Sequence, residues 1–140
     1  MAGDSAARFF VDRGMGARLV PDGLRAAGWQ LTTMTERYGI KVSEGLADVD
    51  WIREASERGE AILTKDARIA RVPVEAAVVV NCDAKVFAMT SSRITGPEML
   101  ARLLHNQMAI HRWAQRTPPP FVAGVDASRI ARLKLARLEV

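Results

Sequence analysis

Two short apolar runs that each lead into an aspartate constrain this chain more than any other feature of its sequence. Arg8–Val11 has the sequence RFFV and is followed by Asp12, and Ala61–Thr64 has the sequence AILT and lies two positions before Asp66. Such runs predict strands buried on both faces, as in parallel sheets. The carboxyl ends of parallel strands meet at one edge of a sheet, where sites form, so we expect the two aspartates to lie together.

Apolar residues at helical spacing separate the predicted strands. Ala17, Val20 and Leu24 recur at intervals of three and four before Gly28, which predicts a first helix. The same spacing recurs in residues 49–56 before Gly59 and predicts a second helix. The remaining elements predicted in this part of the chain are a strand at 29–34, a polar loop at 35–45, and strands at 78–80 and 85–88.

The last third of the chain is predicted to hold one long helix, one strand and a basic segment. Thr95 and Glu98 fit a capping box, and the helix that follows must end before Pro118. Its apolar stripe comprises Leu100, Leu103, Leu104, Met108 and His111. A strand is predicted at 121–125. Residues 128–138 form a basic amphipathic segment, with Ile130, Leu133 and Leu138 on or near one face, that would pack on its own domain or dock on a partner.

The length of 140 residues predicts one domain, with a core at 8–116 and a basic C-terminal extension at 117–140. Alternating strands and helices favour an α/β fold with a mostly parallel sheet covered on both faces. No apolar run approaches the roughly 18 residues of a membrane span, and the N-terminus lacks the apolar stretch of a secretory signal, so we expect a cytoplasmic protein without membrane attachment. Cys82, the only cysteine, is predicted to be an inert, partly buried thiol.

Charge is distributed unevenly along the chain. From Arg93 onward there are eight Lys or Arg residues and three acids, whereas the first 92 residues hold twelve basic and thirteen acidic residues. An acidic centre with basic surroundings suits a polyanionic substrate held near a metal ion. A solvated helical face is the alternative explanation for the basic C-terminal part.

Three aspartates are the candidate site. Asp48 lies at the start of the second predicted helix, close in sequence to Asp50, where a role as a helix cap is the alternative. Two carboxylates about 5 Å apart repel by roughly 3 kcal/mol at an effective dielectric constant near 20. Asp12, Asp48 and Asp66 would therefore need a cation to stay ionised together. Mg²⁺ prefers carboxylate oxygens and substrate phosphates, and it can support phosphodiester hydrolysis.

Several neighbouring residues are weaker candidates. Glu36 could supply a further acid from the end of the second strand, and Asp50 could join the metal ligands. Thr64 and Lys65 flank Asp66, where a hydroxyl could orient a water and an ammonium could meet phosphate. His105 and His111 are six positions apart on one predicted helix, a spacing that does not suit zinc. Six other acids are interpreted as surface charges: Asp22, Glu44, Glu54, Glu57, Glu60 and Glu75.

Three sequence blocks together resemble the compact PIN-like proteins related to the VapC toxins of bacterial toxin–antitoxin pairs. They are Phe9–Asp12 with its following helix closed by Ala26–Trp29, then Asp48–Ile52, then Gly59–Asp66. The resemblance covers roughly residues 8 to 90. It rests on the order and spacing of the three blocks.

The resemblance implies a three-layer sandwich and a Mg²⁺- or Mn²⁺-dependent ribonuclease inhibited by a cognate antitoxin. The family's acids fall on Asp12, Asp48 and Asp66. Arg13 stands where many relatives carry a second acid, and with Thr64 and Lys65 it is a candidate for substrate binding. The long helix and basic tail would then grip RNA, a partner or a second copy in a homodimer.

Two other functions remain open from the sequence alone. A catalytically silent PIN-like module would bind RNA or protein through its basic C-terminal third, and Arg13 favours this alternative. A phosphatase-like or receiver-like domain would share acids at strand ends, but the acid pair expected beside its first strand is missing here.

Overall fold

Six strands pair into one sheet in the order β2-β1-β3-β4-β5-β6 in the computed structural model, which describes residues 6–91 and 93–137. The first five strands are parallel, and β6 is antiparallel to β5. The strands in chain order are β1 (Arg8–Val11), β2 (Gln30–Thr33), β3 (Ala61–Thr64), β4 (Lys85–Met89), β5 (Phe121–Val125) and β6 (Ile130–Leu133).

Eight α-helices accompany the sheet in the described part of the chain, together with a 3₁₀ turn at Arg13–Met15. The helices are α1 (Leu19–Ala26), α2 (Met34–Tyr38), α3 (Ile40–Gly45), α4 (Asp48–Glu57), α5 (Arg68–Arg71), α6 (Pro73–Asn81), α7 (Gly96–His105) and α8 (Gln107–Arg116).

The sheet separates two apolar cores. Because successive side chains of a strand point to opposite faces, Phe9 packs into one core and Phe10 into the other. The Phe9 face is covered by α1, α7 and α8, and the Phe10 face by α4, α5 and α6. This arrangement of helices, sheet and helices confirms the predicted α/β sandwich with a mostly parallel sheet.

The predicted elements nearest the aspartates are confirmed. Strands β1, β2 and β3 and helices α1 and α4 lie where the apolar patterns place them. The capping box at α7 is also present, with the Thr95 hydroxyl accepting from the Glu98 backbone N–H and the Glu98 carboxylate accepting from the Thr95 backbone N–H. Cys82 is free and half-buried.

The predicted polar loop at residues 35–45 is wrong, because α2 and α3 occupy this segment. A second capping box starts α2: Thr33 accepts a hydrogen bond from the Glu36 backbone N–H, and the Glu36 carboxylate accepts one from the Thr33 backbone N–H. These bonds satisfy donors that a helix start leaves unpaired.

The predicted strand at residues 78–80 is also wrong. These valines belong to α6, which begins with Pro73 in its first turn and buries Ala76 and Val79. Because β3 pairs directly with the parallel β4, the chain must cross over a sheet face between them, and helices make that crossing. Tertiary structure therefore overrides the strand preference of valine.

The C-terminal predictions need three corrections. The predicted long helix is two helices, α7 and α8, that meet at Asn106, and Met108 of its proposed stripe is exposed. In the basic segment, β6 places Ile130 against one core and Leu133 against the other, not on one face; Leu138 lies outside the described residues. Strands β5 and β6 also join the central sheet, so the described part of the predicted extension is integral to it. Within the described ranges, no helix has the length and apolarity needed to cross a membrane.

Glu60 is buried, which corrects its interpretation as a surface charge. Its carboxylate accepts two hydrogen bonds from the guanidinium of Arg37, at 2.7 and 2.6 Å, and both side chains are less than a tenth exposed. The guanidinium also lies over the ring of Phe10, 4.7 Å from its centroid. This pair therefore ties α2 to the start of β3.

We expect Glu60→Ala to lower the free energy of unfolding by about 3–5 kcal/mol, because it leaves the buried Arg37 guanidinium with only the more distant Glu54, at 3.9 Å. Urea denaturation followed by circular dichroism measures the change. Glu57→Ala, at an exposed position of α4, is the control and should change stability by less than about 0.5 kcal/mol. Equal effects of the two substitutions would show that the buried pair contributes no special stability.

Candidate metal site in an acidic cleft

A cleft of about 340 Å³ opens at the carboxyl ends of β1 and β3. Four carboxylates line it: those of Asp12, Asp48, Asp66 and Glu75. The three aspartates singled out in the sequence therefore border one cavity, although they come from the residue after β1, from α4 and from the segment after β3.

Asp12 is held at the end of β1 by the neighbouring strand. Its backbone N–H donates to the Leu63 carbonyl at 3.0 Å, and its carboxylate accepts a hydrogen bond from the Thr64 hydroxyl at 2.9 Å. Burial raises the pKa of this carboxyl, and the charge of Asp48 raises it further, although hydrogen bonds from Thr64 and from the backbone of Gly14 and Arg13 act in the opposite direction. A cation in the cleft would relieve both effects that raise the pKa.

Trp51 orients the Asp48 carboxylate, which makes no helix-capping hydrogen bond. Asp48 is the first residue of α4, where the N-cap is Ala47 and no side chain makes a capping hydrogen bond. The indole N–H of Trp51 donates to Asp48 Oδ1 at 3.1 Å, and the buried indole packs against Phe10 with ring centroids 5.6 Å apart. The direction of the Asp48 carboxylate is thus linked to the core.

Asp66 is engaged by a neighbouring arginine. Its carboxylate accepts hydrogen bonds from the Arg68 backbone N–H at 2.9 Å and from the Arg68 guanidinium at distances down to 2.6 Å. The hydrogen bond from the Arg68 side chain is the main reason that the pKa of Asp66 is lowered. Among the described residues, no three His, Cys, Asp or Glu side chains are grouped so that they could hold a metal ion. A cation that bound Asp66 would also compete with Arg68 for its carboxylate.

Glu75 is a carboxylate of the cleft, which corrects its interpretation as a surface charge. It lies in the first turn of α6, and burial raises its pKa, with further contributions from the charges of Asp48 and Asp66. The signal that could have found it is Pro73, which is favoured in the first turn of a helix and would have placed Glu75 in that turn. The strand prediction at residues 78–80 concealed this helix.

Glu36 and Asp50 do not line the cleft. Glu36 caps α2 and forms an ion pair with Arg25 at 2.7 Å, and the hydrogen bond from Arg25 is the main cause of its lowered pKa. Asp50 is exposed in the first turn of α4. Metal binding by either residue stays a prediction.

The three candidates for substrate binding lie around Asp12 and Asp66. Thr64 is buried in the cleft wall, Lys65 is half-buried, and Arg13 is exposed beside Asp12 at a smaller neighbouring cavity. Neither cation forms an ion pair within the described ranges. They are therefore available to an anion near the cleft, as far as this part of the chain determines.

Neither histidine lines the acidic cleft. His105 is exposed at the end of α7, and His111 packs edge-on against Trp29 and Phe9, with ring centroids 4.6 and 5.1 Å apart. His111 is thus a packing residue of the core beneath α8.

We expect Asp12→Asn to stabilise the metal-free protein at neutral pH by roughly 1 kcal/mol, because it removes a charge that burial disfavours. A carboxyl with a raised folded-state pKa binds protons more tightly in the folded protein. Its ionisation therefore costs stability as pH rises through that pKa, and this cost is absent below the unfolded value near pH 4.

Thermal unfolding of both proteins from about pH 3.5 to 8 in a chelating buffer measures this difference. The stabilisation should be largest at neutral pH and should vanish in acid. A destabilised variant at neutral pH would contradict the expected cost of burying the Asp12 carboxylate.

Comparison with known families accords with this fold and cleft. The family described as PIN like domain matches residues 7–91, which include β1 to β4 and all four cleft carboxylates. The chain belongs to this PIN-like family, as the three sequence blocks indicated.

A relative of the VapC type extends the match into the C-terminal part. Over 124 residues the chain is 40% identical to a Mycobacterium tuberculosis (strain H37Rv) protein named "Putative ribonuclease VapC45", and the aligned region covers 89% of each chain. No solved structure gives a significant match.

Proposed function

We propose that this protein is a Mg²⁺- or Mn²⁺-dependent endoribonuclease that acts as the toxin of a toxin–antitoxin pair. The observation that carries the proposal is the convergence of Asp12, Asp48 and Asp66 on one cleft at the carboxyl edge of a parallel sheet. Membership of the PIN-like family and the name of the VapC45 relative support RNA as the substrate.

The donor set of the cleft fits a hard divalent cation. All four ionisable groups that line it are carboxylates, and the raised pKa values of Asp12 and Glu75 each include repulsion from another acid of the cleft. Mg²⁺ and Mn²⁺ favour such oxygen ligands. We assign the metal to Asp12, Asp48 and Asp66, with Glu75 as a further acid.

A bound divalent ion would polarise the phosphodiester and lower the pKa of an attacking water. The chain contributes the positions of the carboxylates: Thr64 orients Asp12 and Trp51 orients Asp48. Lys65 and Arg13 are assigned to the phosphate groups of RNA, since both are cations near the carboxyl edge of the sheet.

The expected partner is a cognate antitoxin that suppresses the activity in the cytoplasm, and a homodimer is a further expectation. Exposed apolar side chains are candidates for such contacts, because surface apolar patches mark interaction sites. Ile40 and Val42 of α3 are each more than half exposed.

We expect Asp12→Asn and Asp66→Asn each to reduce metal-dependent RNA cleavage by a factor of about 100 or more, since each removes a charged ligand of the proposed ion. Cleavage of a fluorescent RNA with Mg²⁺ or Mn²⁺ measures the loss, with circular dichroism to verify folding. Asp50→Asn is the matched control, because Asp50 is an exposed acid of the same helix as Asp48. Full activity in both cleft variants would reject the assignment.

We expect Arg68→Gln to raise the affinity for Mn²⁺ by roughly two- to fivefold, because the ion no longer competes with the guanidinium for Asp66. Calorimetric titration of Mn²⁺ measures the change. Arg71→Gln removes a nearby cation of the same helix that does not pair with Asp66, and it is the control. Unchanged affinity in the Arg68 variant would contradict this competition.

A catalytically silent PIN-like module is the second candidate. The pairing of Asp66 with Arg68 favours it, because an internal cation already compensates one of the acids. The same calorimetry separates the two functions, since a silent module has no need to bind Mn²⁺ at all.

A further inference from the structure

The acidic cleft is also lined by aliphatic side chains that a metal ion and a phosphate group do not require. This apolar wall consists of Val49 on α4, Ile69 on α5, and Val74 and Val78 on α6. Val49 and Val74 directly adjoin Asp48 and Glu75 in the sequence, so a ligand that fills the cleft meets charged and apolar groups beside each other.

Val74 is the exposed member of the apolar wall, whereas Val49 and Val78 are half-buried and Ile69 is buried. Val74 is 66% exposed although it is the second residue of α6, beside Glu75. Exposed aliphatic surface inside a concave site costs free energy unless something covers it, and burying it contributes roughly 25 cal/mol for each Å² removed from water.

The apolar wall offers few hydrogen-bonding groups that could recognise the polar edge of a ligand. The four side chains that form it are aliphatic, and the two side-chain donors in the lining, the indole N–H of Trp51 and the hydroxyl of Thr64, already donate to Asp48 and Asp12. A planar apolar ring is therefore accommodated by contact and not by a hydrogen-bond pattern.

We infer that the apolar wall holds one nucleobase next to the phosphodiester that faces the carboxylates. The inference rests on the proposed function and specifies how RNA lies in the site. Every phosphodiester of RNA is flanked by nucleosides, so a charged centre and a flat ring arrive together. The cavity of about 340 Å³ is at the low end of small-molecule sites, which suits one nucleotide and not a longer stretch.

This placement has a consequence for substrate choice. A base that contacts the wall must leave its stack, and unpaired nucleotides do so at the lowest free-energy cost. Contact through a π-face is tolerant of base identity. The enzyme should therefore favour unpaired RNA at the cleavage point, with selectivity among bases arising elsewhere.

Titration with adenosine and with ribose 5-phosphate, followed by methyl NMR, tests the inference. Adenosine carries the base without a phosphate, and ribose 5-phosphate carries the phosphate without a base. In the wild type we expect adenosine to shift the methyl resonances of the wall residues, and to do so without divalent metal. Ribose 5-phosphate should bind near the carboxylates only with Mg²⁺.

Two valines of the same helix provide a matched pair of variants. Val74→Ser changes the wall, whereas Val80→Ser changes a valine of α6 that is 45% exposed and does not line the cleft. We expect Val74→Ser to weaken adenosine binding about three- to tenfold, because it removes apolar surface that the base would cover. Val80→Ser should bind adenosine like the wild type, and both should bind ribose 5-phosphate unchanged.

The outcomes separate the inference from the proposed function. Adenosine that leaves the wall methyls unshifted, or binds equally to the wild type and the Val74 variant, would overturn the base site, and the wall would then be a surface for a protein partner. Adenosine binding without metal-dependent binding of ribose 5-phosphate would support the base site and reject the nuclease.

Discussion

The register between β1 and β3 is the constraint on which the rest of the site depends. Val11 lies opposite Leu63, so that Asp12, the residue after β1, donates its N–H to the Leu63 carbonyl and receives the Thr64 hydroxyl on its carboxylate. A shift by one residue would turn every side chain of the strand to the other face. It would exchange Phe9 and Phe10 between two cores with different packing, so the packing of both cores fixes the position of Asp12.

The sequence was most informative where local pattern and burial agree. Strands β1 and β3 are apolar throughout apart from Arg8 and Thr64, so their burial and the positions of the acids after them could be predicted. Segments whose state depends on distant contacts could not. Val78–Val80 has strand preference but must be helical for the crossover to β4, and Glu60 is polar but has a buried partner 23 residues away in the sequence. Local sequence shows neither the crossover to β4 nor the Arg37 partner of Glu60.

Charge compensation within the cleft explains why the candidate site was predicted only in outline. Asp12 and Glu75 lack an ion-pair partner in the described ranges, whereas Asp66 is paired with Arg68. The identity of the three aspartates follows from sequence blocks, but their pairing depends on side-chain directions that Trp51, Thr64 and Arg68 determine. The site therefore combines two carboxylates that hydrogen bonds orient, Asp12 and Asp48, with a third, Asp66, that is paired with Arg68.

The antiparallel β6 limits association of the protein through this edge of its sheet. All five residues of β5 are buried, and without β6 they would present a bare apolar edge on which another chain could add a strand. Because β6 carries Arg132 and is flanked by Arg129 and Lys134, its outer border repels an identical border. During synthesis the sheet stays open at this side until β6 has emerged, so the β5 edge can pair with another chain until β6 covers it.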